Sequence, residues 1–309
     1  MSDKSNINEN VTNDIQVMEN ENLVVKVSDK GAELISVYDK SIEKERIWCA
    51  DDKVWNRHAP LLFPFVGKIT DGHYIYKDNE YEMSTQHGFA RDMTFTCIEK
   101  NETKISHKLV SNAETKEKYP FDFELIVTHE FDENNTRALK VSWQIINKGN
   151  AEMLYSIGGH PGFSCPLYEG EKRSDYYVNF PGLSTLKYKL LNTQKGLLYA
   201  DKTYELPLTE DLGIKVSEDM FDKDALVVDE PLCVMQILSP DGSIFVSLEC
   251  EGFTHAGIWS KPEGEFICLE PWVGRTDNDG LEKCILEEKA GIRKLDANKE
   301  ENFSYTITF

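Results

Sequence analysis

Residues 125–146 read Leu-Ile-Val-Thr-His-Glu-Phe-Asp-Glu-Asn-Asn-Thr-Arg-Ala-Leu-Lys-Val-Ser-Trp-Gln-Ile-Ile. On both sides of a polar tip, apolar side chains return at about every second position, the period that puts them on one face of an extended chain. Asp132-Glu133-Asn134-Asn135 supplies the short polar side chains that close a hairpin. This is an antiparallel pair with one face turned to a core.

The same pattern spreads outward in both directions. Alternating runs fall at residues 23–27, 33–38, 93–98 and 105–110, and again at 186–191, 234–238, 244–248, 256–259, 266–270 and 305–309. Lys77-Asp78-Asn79-Glu80 and Pro240-Asp241-Gly242 read as two further hairpin tips. Helix is expected only in small pieces, at residues 41–48, 208–212 and 280–284. The expected fold class is all-β and mostly antiparallel, a large twisted sandwich with no linker and no internal repeat.

Composition narrows the function classes. Lys and Arg number 34 against 54 Asp and Glu, a net charge of −20, which repels phosphate backbones and anionic lipid. Neither nucleic acid nor a membrane is therefore an expected partner. Seven cysteines stand singly, with no C-x-x-C, so neither a disulfide scaffold nor a zinc knuckle is expected. Residues 1–16 are polar and lack the apolar stretch of a signal peptide. Together these features place the chain in the cytoplasm, with residues 1–20 a frayed terminus and residues 21–309 a single domain.

Four segments interrupt the alternation, at residues 60–68, 86–92, 158–163 and 269–272. In Gly158-Gly159-His160-Pro161-Gly162-Phe163, Pro161 drives His160 toward extended backbone, and the glycines permit bends and close approach of other groups. Gln86-His87-Gly88-Phe89-Ala90-Arg91 joins a second imidazole to a guanidinium, both suited to sugar hydroxyls. Alternatively it is a solvated hairpin end with Arg91 paired to Asp92. Glu270 closes an apolar strand just before Pro271, which cannot continue a central ladder, and partial desolvation there would raise its basicity. Trp259 and Trp272 could stack on a pyranose or fill the core.

Taken in order, H-G-F-A-R-D at residues 87–92, G-G-H-P-G-F at 158–163 and L-E-P-W at 269–272 resemble the aldose 1-epimerase (galactose mutarotase-like) family, its LacX-like branch above all. Residues 62–68 and 222–227 resemble that branch as well. The resemblance implies a galactose mutarotase-like β-supersandwich, with residues 21–309 as one aldose 1-epimerase-like domain. It also implies interconversion of the α and β anomers of an aldohexose by acid–base ring opening and closure, with no cofactor and no metal. His160 is then the general acid and Glu270 the general base. His87, Lys68, Arg91 and Asp224 would bind the sugar, with Lys68 standing where many relatives carry Arg. The expected partner is a small sugar, and monomer and homodimer both stay open. Three other readings also remain: a hexose 6-phosphate epimerase, a non-catalytic sugar-binding protein on the same fold, and a metal site made of His87, His160 and Glu270.

Overall fold

The computed structural model describes residues 14–309. The expectation for residues 1–13 lies outside the described residues. Residues 15–19, expected to fray, instead form the strand Ile15–Glu19 on the edge of a four-stranded sheet, paired with Leu23–Ser28. Its backbone groups gain ladder hydrogen bonds, and Met18 turns into the core, enough to hold a polar segment in place.

Strands dominate. The hairpin that organises the sequence is Phe123–Phe131 paired with Ala138–Asn147, and Phe123–Phe131 alternates strictly between buried and half-buried positions. It sits inside a nine-stranded antiparallel sheet, where Ala138–Asn147 also pairs with the C-terminal strand Glu300–Thr308. A six-stranded sheet lies against it, with Leu226–Val228, His255–Trp259, Phe266–Val273, Ile157–Gly159 and Leu61–Leu62 in that order, while Gly162–Ser164 pairs with Phe266–Val273. Tyr305 of the first sheet meets Gly159 of the second so closely that a Cβ on Gly159 would lie 3.0 Å from the phenol oxygen. Among the described residues the one parallel pair of strands is Cys284–Ile285 with His73–Tyr76, with an isolated parallel bridge between Leu198 and Asn278, and no helix is long and apolar enough to cross a membrane.

The strand Phe266–Val273 is buried on both faces. Ile267, Leu269 and Val273 join the main core, whereas Cys268, Glu270 and Trp272 point the other way. The strand also runs through Pro271, against the expectation that it would stop there. Trp272 turns its carbonyl toward the neighbouring chain at Thr254, so by alternation position 271 faces the opposite side. There the partner is broken: Gly158 pairs with Trp272 and Gly162 with Cys268. The missing N–H of Pro271 therefore falls opposite the bend at His160-Pro161, where no ladder bond is required.

The three expected helices are absent. Residues 41–48 contain the short strand Lys44–Glu45, because Arg46 and Trp48 turn inward with Ile47 and no single helical face can hold consecutive buried residues. Residues 208–212 bend around the Thr209–Gly213 bridge, and residues 280–284 form a turn leading into the parallel strand. The one α-helix among the described residues is Ala113–Lys118, which reciprocal Asn112 and Thr115 hydrogen bonds cap.

Candidate active site

The outward face of the six-stranded sheet carries a cavity of about 240 Å³. This is smaller than the several hundred Å³ typical of drug-sized ligand pockets, and suits a single sugar ring. Its floor is Trp272, whose indole lies across the flanking strands. A Cβ on Gly158 would come within 2.6 Å of that ring and one on Gly257 within 2.4 Å. Glycine here removes side chains rather than bending the backbone: Gly158, Gly159 and Gly162 are not among the positive-φ residues.

His160 and Glu270 meet in this cavity, with Nε2 to Oε2 at 3.2 Å and the side chains only 10% and 1% exposed. The register of Gly162–Ser164 on Phe266–Cys268 brings them together from distant parts of the sequence. Burial pushes His160 down to about 3. Burial, helped by the charge of Asp224, pushes Glu270 well above the ordinary carboxylate range, with only the Trp272 indole N–H opposing it. Both shifts favour the uncharged forms, a protonated carboxyl group beside a neutral imidazole.

Aromatic rings enclose the imidazole. Trp55 lies 4.9 Å away in a tilted stack and Trp259 5.4 Å away edge-on, with the His87 ring at 5.6 Å on another side. His87 sits in left-handed backbone (φ 69°) and is followed by Gly88, also at φ 69°, where a Cβ would lie 2.3 Å from the Phe63 carbonyl oxygen. The Gly67 N–H donates to His87 Nδ1 at 3.0 Å, so the neutral ring carries its hydrogen on Nε2. The Gln86 amide group 2.9 Å from Nε2 is then its carbonyl end. Burial, with His160 and Arg91 nearby, pushes the His87 imidazole well down as well.

Of the other expected residues, Arg91 and Asp224 line the cavity and Lys68 does not. The Lys68 stem lies along Gly196, while its backbone is held by the Thr276 hydroxyl. Arg91 makes the ion pair with Asp92 that the alternative reading expected, but only a long one. Arg57 takes that carboxylate at 2.7 Å, leaving Arg91 Nε 3.9 Å from it and donating through Nη2 to the Gln86 carbonyl. Asp224, at φ 70°, accepts from the N–H of Ala225. Sequence reading missed Trp55, Lys261 and Thr276, which also line the cavity. An isolated tryptophan in the polar stretch at residues 51–55 was the one signal available for any of them.

The sequence signature of the aldose 1-epimerase family matches residues 14–251. Protein LacX (plasmid) of Lactococcus lactis subsp. lactis is 33% identical over 303 residues, covering 94% of this chain and 98% of that protein. Among solved structures, a galactose mutarotase related enzyme from Lactobacillus acidophilus superposes with a TM-score of 0.88 at 31% identity, covering 96% and 97% of the two chains. A galactose mutarotase-like protein from Lactobacillus casei gives 0.86 at 26% identity, covering 96% and 99%. The fold is thus the all-β, galactose mutarotase-like supersandwich expected from the sequence.

Proposed function

The chain belongs to the aldose 1-epimerase family, and from that membership we propose that it interconverts the α and β anomers of an aldohexose through His160 and Glu270. The observation that carries this reading is the 3.2 Å contact between the two groups in an aromatic-walled cavity. Ring opening needs a proton removed from the anomeric hydroxyl and one delivered to the ring oxygen. Glu270 takes the first as a carboxylate, the C1 to ring-oxygen bond breaks, and protonated His160 supplies the second. The product is an open-chain aldehyde beside protonated Glu270 and neutral His160.

That product state carries the same single proton as the starting pair, and it is the state that burial favours. Rotation about C1–C2 turns the other carbonyl face inward. Reclosure then runs both transfers backward and restores the starting pair. Trp272 offers an apolar face for the ring, with neutral His87 beside it. Asp224 and Arg91 are the further hydroxyl partners in this reading. Lys68, outside the cavity lining, is not included.

Arg91 and Lys261, two cations at the cavity of a chain of net charge −20, favour a second form of substrate, an aldose bearing an anionic group such as a 6-phosphate.

Anomer exchange followed by polarimetry or NMR tests the proposal. Glu270→Gln, which keeps the shape but cannot take a proton, should reduce exchange to the spontaneous rate, and His160→Asn should lower turnover roughly 10²-fold or more. Near-wild-type exchange in Glu270→Gln removes Glu270 from the base role. Sugar binding by a wild-type protein that leaves the spontaneous rate unchanged would mean a binding protein.

A further inference from the structure

The sequence offered His87, His160 and Glu270 as a metal set, but the fold spends His87 elsewhere. Both of its ring nitrogens have neighbours at hydrogen-bonding distance, the Gly67 N–H and the Gln86 amide. A different side chain takes its place. Cys268 lies two residues before Glu270 on the same face of Phe266–Val273, and His160 reaches in from the opposing bend. One ligand atom from each of His160, Cys268 and Glu270 lies within 4.8 Å of the other two, and all three residues are buried. Glu270 Oε2 has no hydrogen-bond partner among the described residues.

We infer that His160, Cys268 and Glu270 form a site for a thiophilic divalent cation such as Zn²⁺, and that a cation bound there switches sugar turnover off. Ligand distances of about 2.0–2.2 Å to nitrogen and oxygen and 2.3 Å to sulfur set the edges of a tetrahedral zinc site. They require roughly 3.3 Å between nitrogen and oxygen and about 3.6 Å between sulfur and nitrogen. The Nε2 to Oε2 separation is already 3.2 Å. With every pair of ligand atoms within 4.8 Å, the sulfur must close on the other two by little more than about 1 Å.

The donor set selects the metal. A thiolate and an imidazole beside one carboxylate suit Zn²⁺ or Cd²⁺ rather than Mg²⁺ or Ca²⁺, which prefer oxygen throughout. On binding, the Cys268 thiol gives its proton to solvent as the sulfur–metal bond forms, any proton held by Glu270 leaves likewise so that it binds as a carboxylate, and neutral His160 donates its Nε2 lone pair. With the metal in place, Nε2 can carry no proton to a ring oxygen and Glu270 can accept none from the anomeric hydroxyl. Inhibition therefore rests on the roles proposed above, whereas the binding site itself does not.

The test uses untagged full-length protein with the exposed Cys49 and Cys233 and the half-buried Cys97 changed to Ser, so that surface thiols contribute nothing. ZnCl₂ is titrated calorimetrically and CoCl₂ by absorbance, where a thiolate ligand gives a near-ultraviolet charge-transfer band. One Zn²⁺ per chain is expected, with affinity at least tenfold weaker in both Cys268→Ala and Cys268→Ser, and the cobalt–thiolate band is expected to vanish in both. Zinc should stop anomer exchange, and a chelator should restore it. Circular dichroism checks folding of the variants, and the cobalt band of the parent protein decides the point even if neither variant folds. Absence of that band at saturating cobalt, or zinc affinity unchanged within twofold in both variants, overturns the site. Full exchange activity indifferent to bound zinc overturns the switch. Zinc bound through Cys268 in a protein with no exchange activity leaves the site standing and overturns the proposed function instead.

Discussion

Lys289→Met removes one half of a buried ion pair that fastens two walls of the cavity together. Lys289 Nζ lies 2.6 Å from Asp277 Oδ1, with side chains 0% and 2% exposed, and it also donates to the Arg275 carbonyl at 2.9 Å. Asp277 accepts from the Thr70 N–H at 2.9 Å, while its own N–H donates to the Lys68 carbonyl. The pair thus ties the 68–70 segment to the 275–277 segment, beside the cavity residues Gly67 and Thr276. Breaking such a pair from one side strands a buried charge and costs about 3–5 kcal/mol, a large part of the ~5–15 kcal/mol that holds a domain folded.

The pH dependence separates this account from simple loss of packing. In the wild type, burial alone would raise Asp277, but Lys289 and the Thr70 N–H hold it below the ordinary value. Its contribution is therefore present above the unfolded carboxyl pKa and is lost as pH falls through the lower folded one. In Lys289→Met burial is opposed only by the weaker Thr70 and Cys284 contacts and the sign reverses: the folded carboxyl holds its proton to higher pH, and the deficit shrinks on acidification. Urea unfolding followed by tryptophan fluorescence at pH 7 and pH 5 should show a loss of about 3–5 kcal/mol at the higher pH and a smaller one at the lower. Asp277→Asn in the same chain should recover part of the loss. A deficit below about 1 kcal/mol at pH 7, or a double variant no better than the single, would refute the reasoning.

Three further outcomes follow from the cavity. The pH profile of kcat/KM should be bell-shaped, because the working pair holds one proton. Its acid limb should lie well below the 6.5 of an ordinary imidazole and its alkaline limb well above the 4.5 of an ordinary carboxylate, and an acid limb at or above 6.5 would contradict the burial argument. Arg91→Met should raise KM for a hexose 6-phosphate far more than for the free hexose if the guanidinium serves a phosphate, with an effect that weakens in salt; an equal rise for both sugars would assign it to hydroxyls. Gly88→Ala forces a side chain into left-handed backbone against the Phe63 carbonyl. It should cost roughly 1–3 kcal/mol and raise KM by displacing His87, and a variant matching the wild type in thermal unfolding and KM would show that the loop yields.

The sheets were legible because a period of two is written locally. In residues 125–146 each apolar side chain reports its own side of the strand, and the observed register of Leu125 opposite Ile145 and Phe131 opposite Leu139 follows from the turn between them. Pro271 misled for a nonlocal reason. A proline ends a ladder only where a partner carbonyl waits for its N–H, and the gap that spares it belongs to a bend more than a hundred residues earlier. Residues 41–48 misled because their charged and apolar residues fit a helical count, while Arg46 is in fact drawn inward to Asp39 at 3.0 Å.

The same distinction divides the site. His160, His87 and Glu270 could be picked out because a titratable group beside Gly or Pro in an apolar setting is a local anomaly. Lys68 could not be placed, since outside a strand nothing in the sequence says which way a side chain turns, and its stem follows Gly196 instead of entering the cavity. Trp55 and Lys261 reach the cavity wall only through the packing of distant segments. The contact that matters most, His160 against Glu270, is a property of register: shifting Gly162–Ser164 by one residue along Phe266–Val273 would change which face of the chain meets Glu270. The chemistry of each group is therefore carried by its neighbours in sequence, and the pairing that brings the two groups into contact is carried by the ladder between strands.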